Sequence, residues 1–322
     1  MEQTAVEKKF GKYVMASMIT MFLQSAYSMI DGLFVSNLIG DTALSAVNVA
    51  WPIIAVVTAI GTGVGCGGAV MMSTKQGEGK NEESNIVRAN VILALLASSI
   101  VVTILFLILL TPLLKLMGAE GELLRLSQIY GRVMLTGGVL QILSCGLTPL
   151  LRNDNRAVSA MMIMVGGLFA NLGLDFVFMY VFHMGIGGAA GASLCAQLFT
   201  TVCCLMILCT KKTDPIRLSQ FMIRKEYWKK IFKTAVSPFG ISLTPSLLIL
   251  YHNVACLKFG GDLAVNAYAL ISSTVGSYRV LLIGVAEGIQ PLASYAYGAH
   301  DFHAIRKIRN KAIITAMSVS FF

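Results

Sequence analysis

The run of apolar residues from Val91 to Leu110 constrains this chain more than any other feature. It contains no charged side chain, and it has the length of about twenty residues that a helix needs to cross a bilayer. Similar runs recur along all 322 residues, and the composition is 56% hydrophobic and only 13% charged, with a mean hydropathy of +0.74. Soluble domains carry about twice that share of charge. The sequence therefore predicts an all-α protein that crosses the membrane many times.

Charged clusters divide the apolar runs into about eight full spans and part of a ninth. The predicted helices cover residues 13–35, 43–73, 87–112, 127–149, 157–182, 187–210, 233–257 and 264–296, and the ninth begins near residue 308. The N-terminal segment MEQTAVEKKFGKY carries both signs of charge and leads directly into the first full-length span. We therefore expect no cleaved signal peptide, and the first helix should stay in the mature protein.

Lys and Arg residues fall almost entirely on one side of the predicted bundle. Twenty of them precede the first span or lie in the even-numbered loops, whereas Lys115, Arg125 and Lys258 are the three on the other side. The positive-inside rule then places the N terminus in the cytoplasm and the protein in the cell membrane. This distribution also accounts for the net charge of +9 without a nucleic-acid partner, because such charges set topology and contact anionic membrane lipid.

The chain contains an internal repeat with an offset of 221 residues. Sliding the sequence by this distance aligns LIGDTALSAV with FGGDLAVNAY, and identities continue without a gap. Glycines dominate these identities, as in the pairs Gly63/Gly284, Gly67/Gly288 and Gly77/Gly298. Because six spans separate the copies, both have the same orientation, which is typical of transporters built from parallel repeats with the passage between them.

The repeat predicts two six-helix lobes. Residues 1–212 form the N-terminal lobe, 213–232 a basic cytoplasmic linker, and 233–322 an incomplete C-terminal lobe with helices 7, 8 and part of 9. Two full copies of such a repeat need about 440 residues. We therefore expect that the chain is truncated at its C terminus.

Three acids lie inside predicted spans, where a carboxylate is costly enough to indicate function: Asp31, Asp175 and Glu287. Asp31 and Asp175 each lie 19 residues beyond the last basic residue before their span. Both should therefore reach the same depth, about 27 Å from the cytoplasmic edge. Ser193, in the span that follows Asp175, falls in the same layer.

Tyr27 and Asn171 each precede one of these acids by four residues and so share its helix face. Such oxygen-rich groups can coordinate a small hard cation, or two carboxylates can share a proton. We predict a cation or proton site at Asp31, Asn171, Asp175, Tyr27 and Ser193, with Na⁺ as the one possible metal. The alternative is that these groups only join helices or line a wet vestibule.

A second set, Glu287, Arg279 and His252, is assigned to a substrate pathway. Glu287 and Arg279 lie eight residues apart and could share one broad helix face, either as a neutralised pair or with Glu287 contacting substrate. His252, in the seventh span, is expected to face the lumen. No catalytic nucleophile with a base, metal cluster or phosphate loop is apparent, so the protein is not expected to be an enzyme or to need a cofactor.

The glycine run GTGVGCGG at residues 61–68 contains a formal dinucleotide-binding pattern. It lies inside a span with no strand before it, so that interpretation fails. The spacing of Gly61 with Gly65, and of Gly63 with Gly67, predicts close helix packing instead.

Four ordered segments resemble the multidrug and toxic compound extrusion (MATE) family. They are SAYSMIDGLFVSNLIGDTALSAVNVAWPI, the glycine run leading to STKQGEGK, LLRNDNRAVSAMMIMVGGLFANLGLDFVF with MGIGGAAGASLCAQL, and GVAEGIQPLASYAYGA. The resemblance covers essentially the whole chain, and the last segment is most similar to the bacterial branch of DinF-like and MepA-like proteins. It implies a fold of twelve helices in two lobes and the export of lipophilic organic cations in exchange for Na⁺ or H⁺.

The resemblance also implies roles for individual residues. Asp31 occupies the position of the family's helix 1 acid, and Asn171 with Asp175 matches its helix 5 N-x-x-x-D pair. Some members have an acid in helix 7, where this chain has His252 and Asn253, so a second carboxylate site there is not expected.

We therefore predict a monomeric secondary antiporter that exports small lipophilic cations. One alternative is a flippase for lipid-linked saccharides, which would need a more basic cavity than Arg279 and Arg132 supply. The other is a truncated membrane protein that does not transport.

Overall fold

A computed structural model describes residues 3–209 and 220–321, and within these ranges the chain is helical apart from short connections. The α-helices, in chain order, are α1 (Gln3–Ile39), α2 (Asp41–Gly77), α3 (Asn81–Leu116), α4 (Gly121–Thr136), α5 (Gly138–Leu151), α6 (Ala157–Asp175), α7 (Gly185–Cys209), α8 (Lys225–Gly298) and α9 (Phe302–Phe321). Short π-helical turns follow α5 (Arg152–Arg156) and α6 (Phe176–Val181). The all-helical fold class is confirmed.

Five stretches of the described chain are long and apolar enough to cross a membrane, which agrees with a multi-pass protein. They are Lys9–Ile39, Asp41–Gly77, Asn81–Leu116, Gly138–Val181 and Gly185–Cys209. The stretch Gly138–Val181 contains more than one predicted span, because the chain leaves helical geometry at Asp154 and Asn155 (φ 61°) and changes direction there. The predicted fourth span is made of α4 and α5, which bend at Gly137 (φ −88°, ψ 11°).

A single residue, Gly40, connects α1 to α2. Its φ of 116° lies in the region that favours glycine, because a side chain there would clash with the backbone. Ser36 Oγ donates a hydrogen bond to Asp41 Oδ1 across this connection at 2.7 Å. The tight turn explains why two long helices can follow each other without a loop.

The helix α8 reverses direction within its own length. His252 stacks on Tyr268 with ring centroids 5.0 Å apart, whereas sixteen residues of straight helix would separate them by about 24 Å. The reversal lies where the sequence predicts a loop between the seventh and eighth spans, although the backbone stays helical through it. We call residues 225–252 the first arm of α8 and residues 268–298 its second arm.

The glycine run of α2 packs on two sides. A Cβ on Gly61 would lie 2.7 Å from the carbonyl oxygen of Ile142, and one on Gly65 would overlap the backbone of Gly146, both on α5. These contacts, within the N-terminal lobe, confirm the predicted close packing. The main hydrophobic core surrounds them and is built largely from α2, α3, α4, α5 and α7.

The other glycines of the run face α8. A Cβ on Gly67 would lie 2.7 Å from the backbone nitrogen of Ala235, and one on Gly63 would lie 3.0 Å from Phe239 Cβ, both on the first arm. On the second arm, a Cβ on Gly288 would lie 2.6 Å from Val14 Cα. Close helix packing therefore joins α2 and α1 to the two arms.

These contacts are related by the sequence repeat. Adding 221 turns Gly67 into Gly288 and Val14 into Ala235, so the two contacts are copies of each other. Likewise, a Cβ on Gly77 would overlap the carbonyl oxygen of Tyr295, and one on Gly298 that of Thr74. In each case the two copies of the repeat swap roles in the contact. A two-fold rotation has this property, which agrees with parallel repeats.

The repeated glycines thus lie where the two lobes meet. The contacts are concentrated at the end of the bundle that carries Lys75, Arg88 and Arg152, which we call the basic end.

Candidate functional site

Asp175 lies at the C-terminal end of α6 and is completely buried. Asn171, one helical turn earlier and also buried, donates a hydrogen bond from Nδ2 to Asp175 Oδ2 at 3.0 Å. The amide of Asn171 also carries a carbonyl oxygen, which is a hydrogen-bond acceptor. The contact that the spacing of Asn171 and Asp175 predicts is therefore present, and it places an acid and an amide inside the bundle.

Asp31, on α1, is half-buried. Its Oδ1 atom is shielded from solvent and has no hydrogen-bond partner among the described residues. A carboxylate oxygen in this situation is costly unless a cation or a proton neutralises it. The oxygen is thus chemically suited to bind one of the two.

Tyr130, on α4, connects the two carboxylates. Its buried phenol lies near both Asp31 and Asp175, so residues of α1, α4 and α6 form one group, which we call the acid cluster (Asp31, Tyr130, Asn171 and Asp175). Our sequence reasoning missed Tyr130 because it considered acids and their near neighbours. The residue type alone gave no signal for it, because phenols are tolerated inside membrane spans.

Ser193, on α7, lies at the same level as the acid cluster, and its side chain is half-buried. Gly167 packs against Thr200, and Gly188 packs against Phe178, so α6 and α7 are antiparallel with a defined register. That register sets Ser193 opposite the segment between Asn171 and Asp175. The side chain of Tyr27 lies outside the described residues.

Glu287 does not pair with Arg279. Its Oε2 atom accepts a hydrogen bond from Arg152 Nη1 at 2.5 Å, and the two side chains form an ion pair at the basic end. Because Gly288 packs on Val14, Asp31 lies 17 residues beyond this contact along α1, a separation of about 25 Å. Glu287 therefore belongs to a different layer from the acid cluster.

The three residues assigned to a substrate pathway do not form one group. His252 is exposed, stacks on Tyr268 with an interplanar angle of 7° and lies 2.7 Å from the Leu248 carbonyl oxygen through Nδ1. It is also the residue 221 positions after Asp31, so it occupies in α8 the position that the carboxylate has in α1. Arg279 is half-buried, and its Nε has no partner among the described residues.

A second polar network stabilises the turn after α5. Arg88 and Asp154 are both buried, with Nη1 3.5 Å from Oδ2, and Gln76 Nε2 donates to Asp154 Oδ1 at 3.0 Å. Arg88 and Arg152 are among the twenty basic residues that the sequence analysis attributes to membrane topology. The structure instead buries both, because each finds an acid partner far away in sequence.

The chain matches one protein family and several characterised relatives over most of its length. The MatE family model matches residues 16–177 and 241–322. The multidrug export protein MepA of Staphylococcus saprophyticus subsp. saprophyticus is 24% identical over 298 residues, which covers 92% of this chain and 66% of the relative. MepA of Staphylococcus aureus strain N315 is also 24% identical, over 99% of this chain and 70% of the relative. The chain thus spans about two thirds of the length of these relatives.

Solved structures agree with the fold. A structure described as the outward-facing conformation of a multidrug resistance MATE family transporter superposes with a TM-score of 0.92 at 26% identity. The match covers 98% of this chain and 70% of that one. The chain therefore shares the fold of that transporter over nearly its whole length.

Proposed function

Because the chain belongs to the MatE family of membrane transporters, whose model matches about three quarters of its residues, we propose that it is a secondary multidrug efflux antiporter. It exports small lipophilic cations in exchange for Na⁺ or H⁺. The names of its MepA relatives support the class of substrate. The observation that supports ion coupling is that Asp31 Oδ1 is shielded from solvent without a hydrogen-bond partner among the described residues, at the same predicted depth as the buried Asp175.

The acid cluster has a physical reason to bind a cation. Two carboxylates near each other in an apolar bundle cannot both stay charged without a counter-charge, so they bind a metal ion or share a proton. Asp31 Oδ1, the carbonyl oxygen of Asn171 and the Tyr130 phenol supply the hard oxygen ligands that Na⁺ accepts. A proton needs only the two acids. The coupling ion is thus cargo, and the protein needs no cofactor and is not an enzyme.

The orientation of the bundle determines how exchange proceeds. The bias of Lys and Arg supports a cytoplasmic basic end and a site in the outer half of the membrane. With the lobes joined at the basic end, ions reach Asp31 and Asp175 from outside. Their binding displaces the organic cation, and rocking of the lobes then exposes the passage to the cytoplasm. The protein acts as a monomer in the lipid bilayer, without a nucleic-acid partner.

Replacing the two acids separately tests this function. Asp31→Asn and Asp175→Asn keep the shape of each side chain but remove its charge, so ethidium efflux from cells should fall by at least about tenfold. Asp41→Asn is the matched control. Asp41, the first residue of α2, is an exposed acid that accepts a hydrogen bond from Ser36. Immunoblots of the membrane fraction should show equal amounts of all variants. Efflux at the level of the control in both site variants would refute the proposal.

A further inference from the structure

The ion pair between Arg152 and Glu287 joins the two lobes. Arg152 lies in the turn after α5, and Glu287 lies on the second arm of α8, 135 residues later. The side chain of Arg152 is 6% exposed and that of Glu287 is 24% exposed, so the pair is largely shielded from solvent. Separation of the lobes would break the pair and expose both charges to water. The pair therefore distinguishes a bundle closed at the basic end from an open one.

The pair lies close to the rotation axis of the repeat. The repeat partner of Glu287 is Cys66, whose buried side chain lies near both Glu287 and Arg152. Repeat-related positions meet only near the axis. Helix packing by itself calls for small residues at such a position, as in the glycines on either side of Cys66. The acid at position 287 therefore needs another reason, and Arg152 supplies it.

Hydrogen bonds between uncharged groups surround the pair of Arg152 and Glu287. Ser73 Oγ donates to the Pro291 carbonyl oxygen at 3.2 Å, and Ser294 Oγ contacts Asn153 Oδ1 at 3.4 Å. Water can replace such bonds at little cost when the lobes part. A shielded charge pair loses much more when one of its members is removed, since the other is left without its partner.

The turn that carries Arg152 is itself held in place. Asp154 accepts bonds from Arg88 and Gln76, and Asn153 Nδ2 donates to the Pro149 carbonyl oxygen at 3.0 Å. These contacts lie within the N-terminal lobe, so the turn moves with that lobe. Arg152 is thus a fixed donor that meets Glu287 only when the second lobe approaches.

We propose that Arg152 and Glu287 form a latch that closes the basic end and sets the balance between the closed and open states of the transporter. The latch stabilises the closed state and not the open one, so weakening it shifts the population toward opening at the basic end. This goes beyond the proposed exchange at Asp31 and Asp175, and its test requires neither substrate nor coupling ion.

Cys66 is a built-in reporter of the latch. It is buried while the lobes are joined, so its alkylation by N-ethylmaleimide needs opening of the basic end. The rate is measured on purified protein by mass spectrometry of the Cys66 peptide, with the exposed Cys195 and Cys209 as internal references. Glu287→Gln and Arg152→Gln should each raise the rate for Cys66 by about tenfold, as expected for loss of a shielded charge pair. The alkylation rates of Cys195 and Cys209 should not change.

The two single variants also separate opening from local electrostatics. If the charges acted only on the reactivity of the thiol, removing the acid would speed alkylation and removing the arginine would slow it. If each substitution instead opens the basic end, alkylation of Cys66 should be faster in both variants. The reversed pair, Arg152→Glu with Glu287→Arg, should return the rate to within about threefold of the parent, because the attraction is restored. Glu122→Gln, which removes an exposed pair with Arg125, is the control and should have no effect.

Opposite shifts in the two single variants, or unchanged rates in both, would overturn the latch. If Arg152→Gln fails to reach the membrane, Arg152→Lys and Glu287→Asp carry the same test, because each keeps its charge but alters the reach. Both should accelerate alkylation of Cys66 by a smaller factor, and an unchanged rate in both would equally overturn the proposal. Normal ethidium export in Asp31→Asn and Asp175→Asn, with a normal latch, would instead count against the exchange site.

Discussion

The substitution Gly288→Ala tests how tightly the lobes are joined. The added Cβ would lie 2.6 Å from Val14 Cα and 3.0 Å from both the Tyr13 carbonyl oxygen and the Val14 nitrogen. All three are backbone atoms, which cannot rotate away as a side chain can. Overpacking of this kind costs about 1–3 kcal/mol. The helices must therefore move apart where α1 meets the second arm of α8.

Gly240→Ala is the matched control. Gly240 lies on the same helix with nothing within 4 Å of its added Cβ. Both substitutions gain the same helix propensity, about 1 kcal/mol, so their difference isolates the clash. A difference of about 1–3 kcal/mol corresponds to roughly a 5- to 150-fold change in the closed-to-open ratio.

Alkylation of Cys66 measures this ratio. Gly288→Ala should accelerate alkylation, whereas Gly240→Ala should leave it unchanged. The repeat adds a second requirement: Gly67→Ala, whose Cβ would lie 2.7 Å from the Ala235 nitrogen, should behave like Gly288→Ala. Equal rates for Gly288→Ala and Gly240→Ala would refute the reasoning, because the close approach would then carry no energy.

Three further substitutions probe the site and the buried network. Tyr130→Phe should reduce ethidium efflux severalfold without changing the amount of protein, because it removes the hydroxyl near both acids; normal efflux would exclude Tyr130 from the site. Arg88→Met leaves Asp154 buried without its charge partner, and it should lower the thermal unfolding midpoint by an amount that reflects about 3–5 kcal/mol. Arg125→Ala, which removes a fully exposed ion pair, should leave the midpoint unchanged. Equal midpoints for Arg88→Met and Arg125→Ala would contradict the buried pair.

Much of the fold could be predicted from patterns that act locally or recur. Uncharged apolar runs indicate spans because the bilayer excludes charge along a fixed length. The repeat predicted the pairing of lobes, since Gly67 and Gly288 are glycines for the same reason, a backbone that passes too close for a side chain. The Asn171 and Asp175 contact follows from helical spacing.

Other features depend on tertiary structure that no local pattern encodes. The spacing of Glu287 and Arg279 left a pairing between them open, yet the partner of Glu287 is Arg152, brought to it by the meeting of the lobes. Tyr130 gave no signal because a phenol, unlike a carboxylate, costs little inside a span. The helical reversal in α8 shows that a loop predicted from polar residues can keep helical geometry while the chain turns back.

The most direct measurement is ethidium efflux from cells in which the Na⁺ gradient and the pH gradient are collapsed separately, with ATP depleted in a third sample. Coupled exchange at Asp31 and Asp175 predicts that one collapse stops efflux, that the other does not, and that efflux outlasts ATP for as long as the coupling gradient persists. Efflux that survives the loss of both gradients, or that ends as soon as ATP does while the gradients remain, would contradict it.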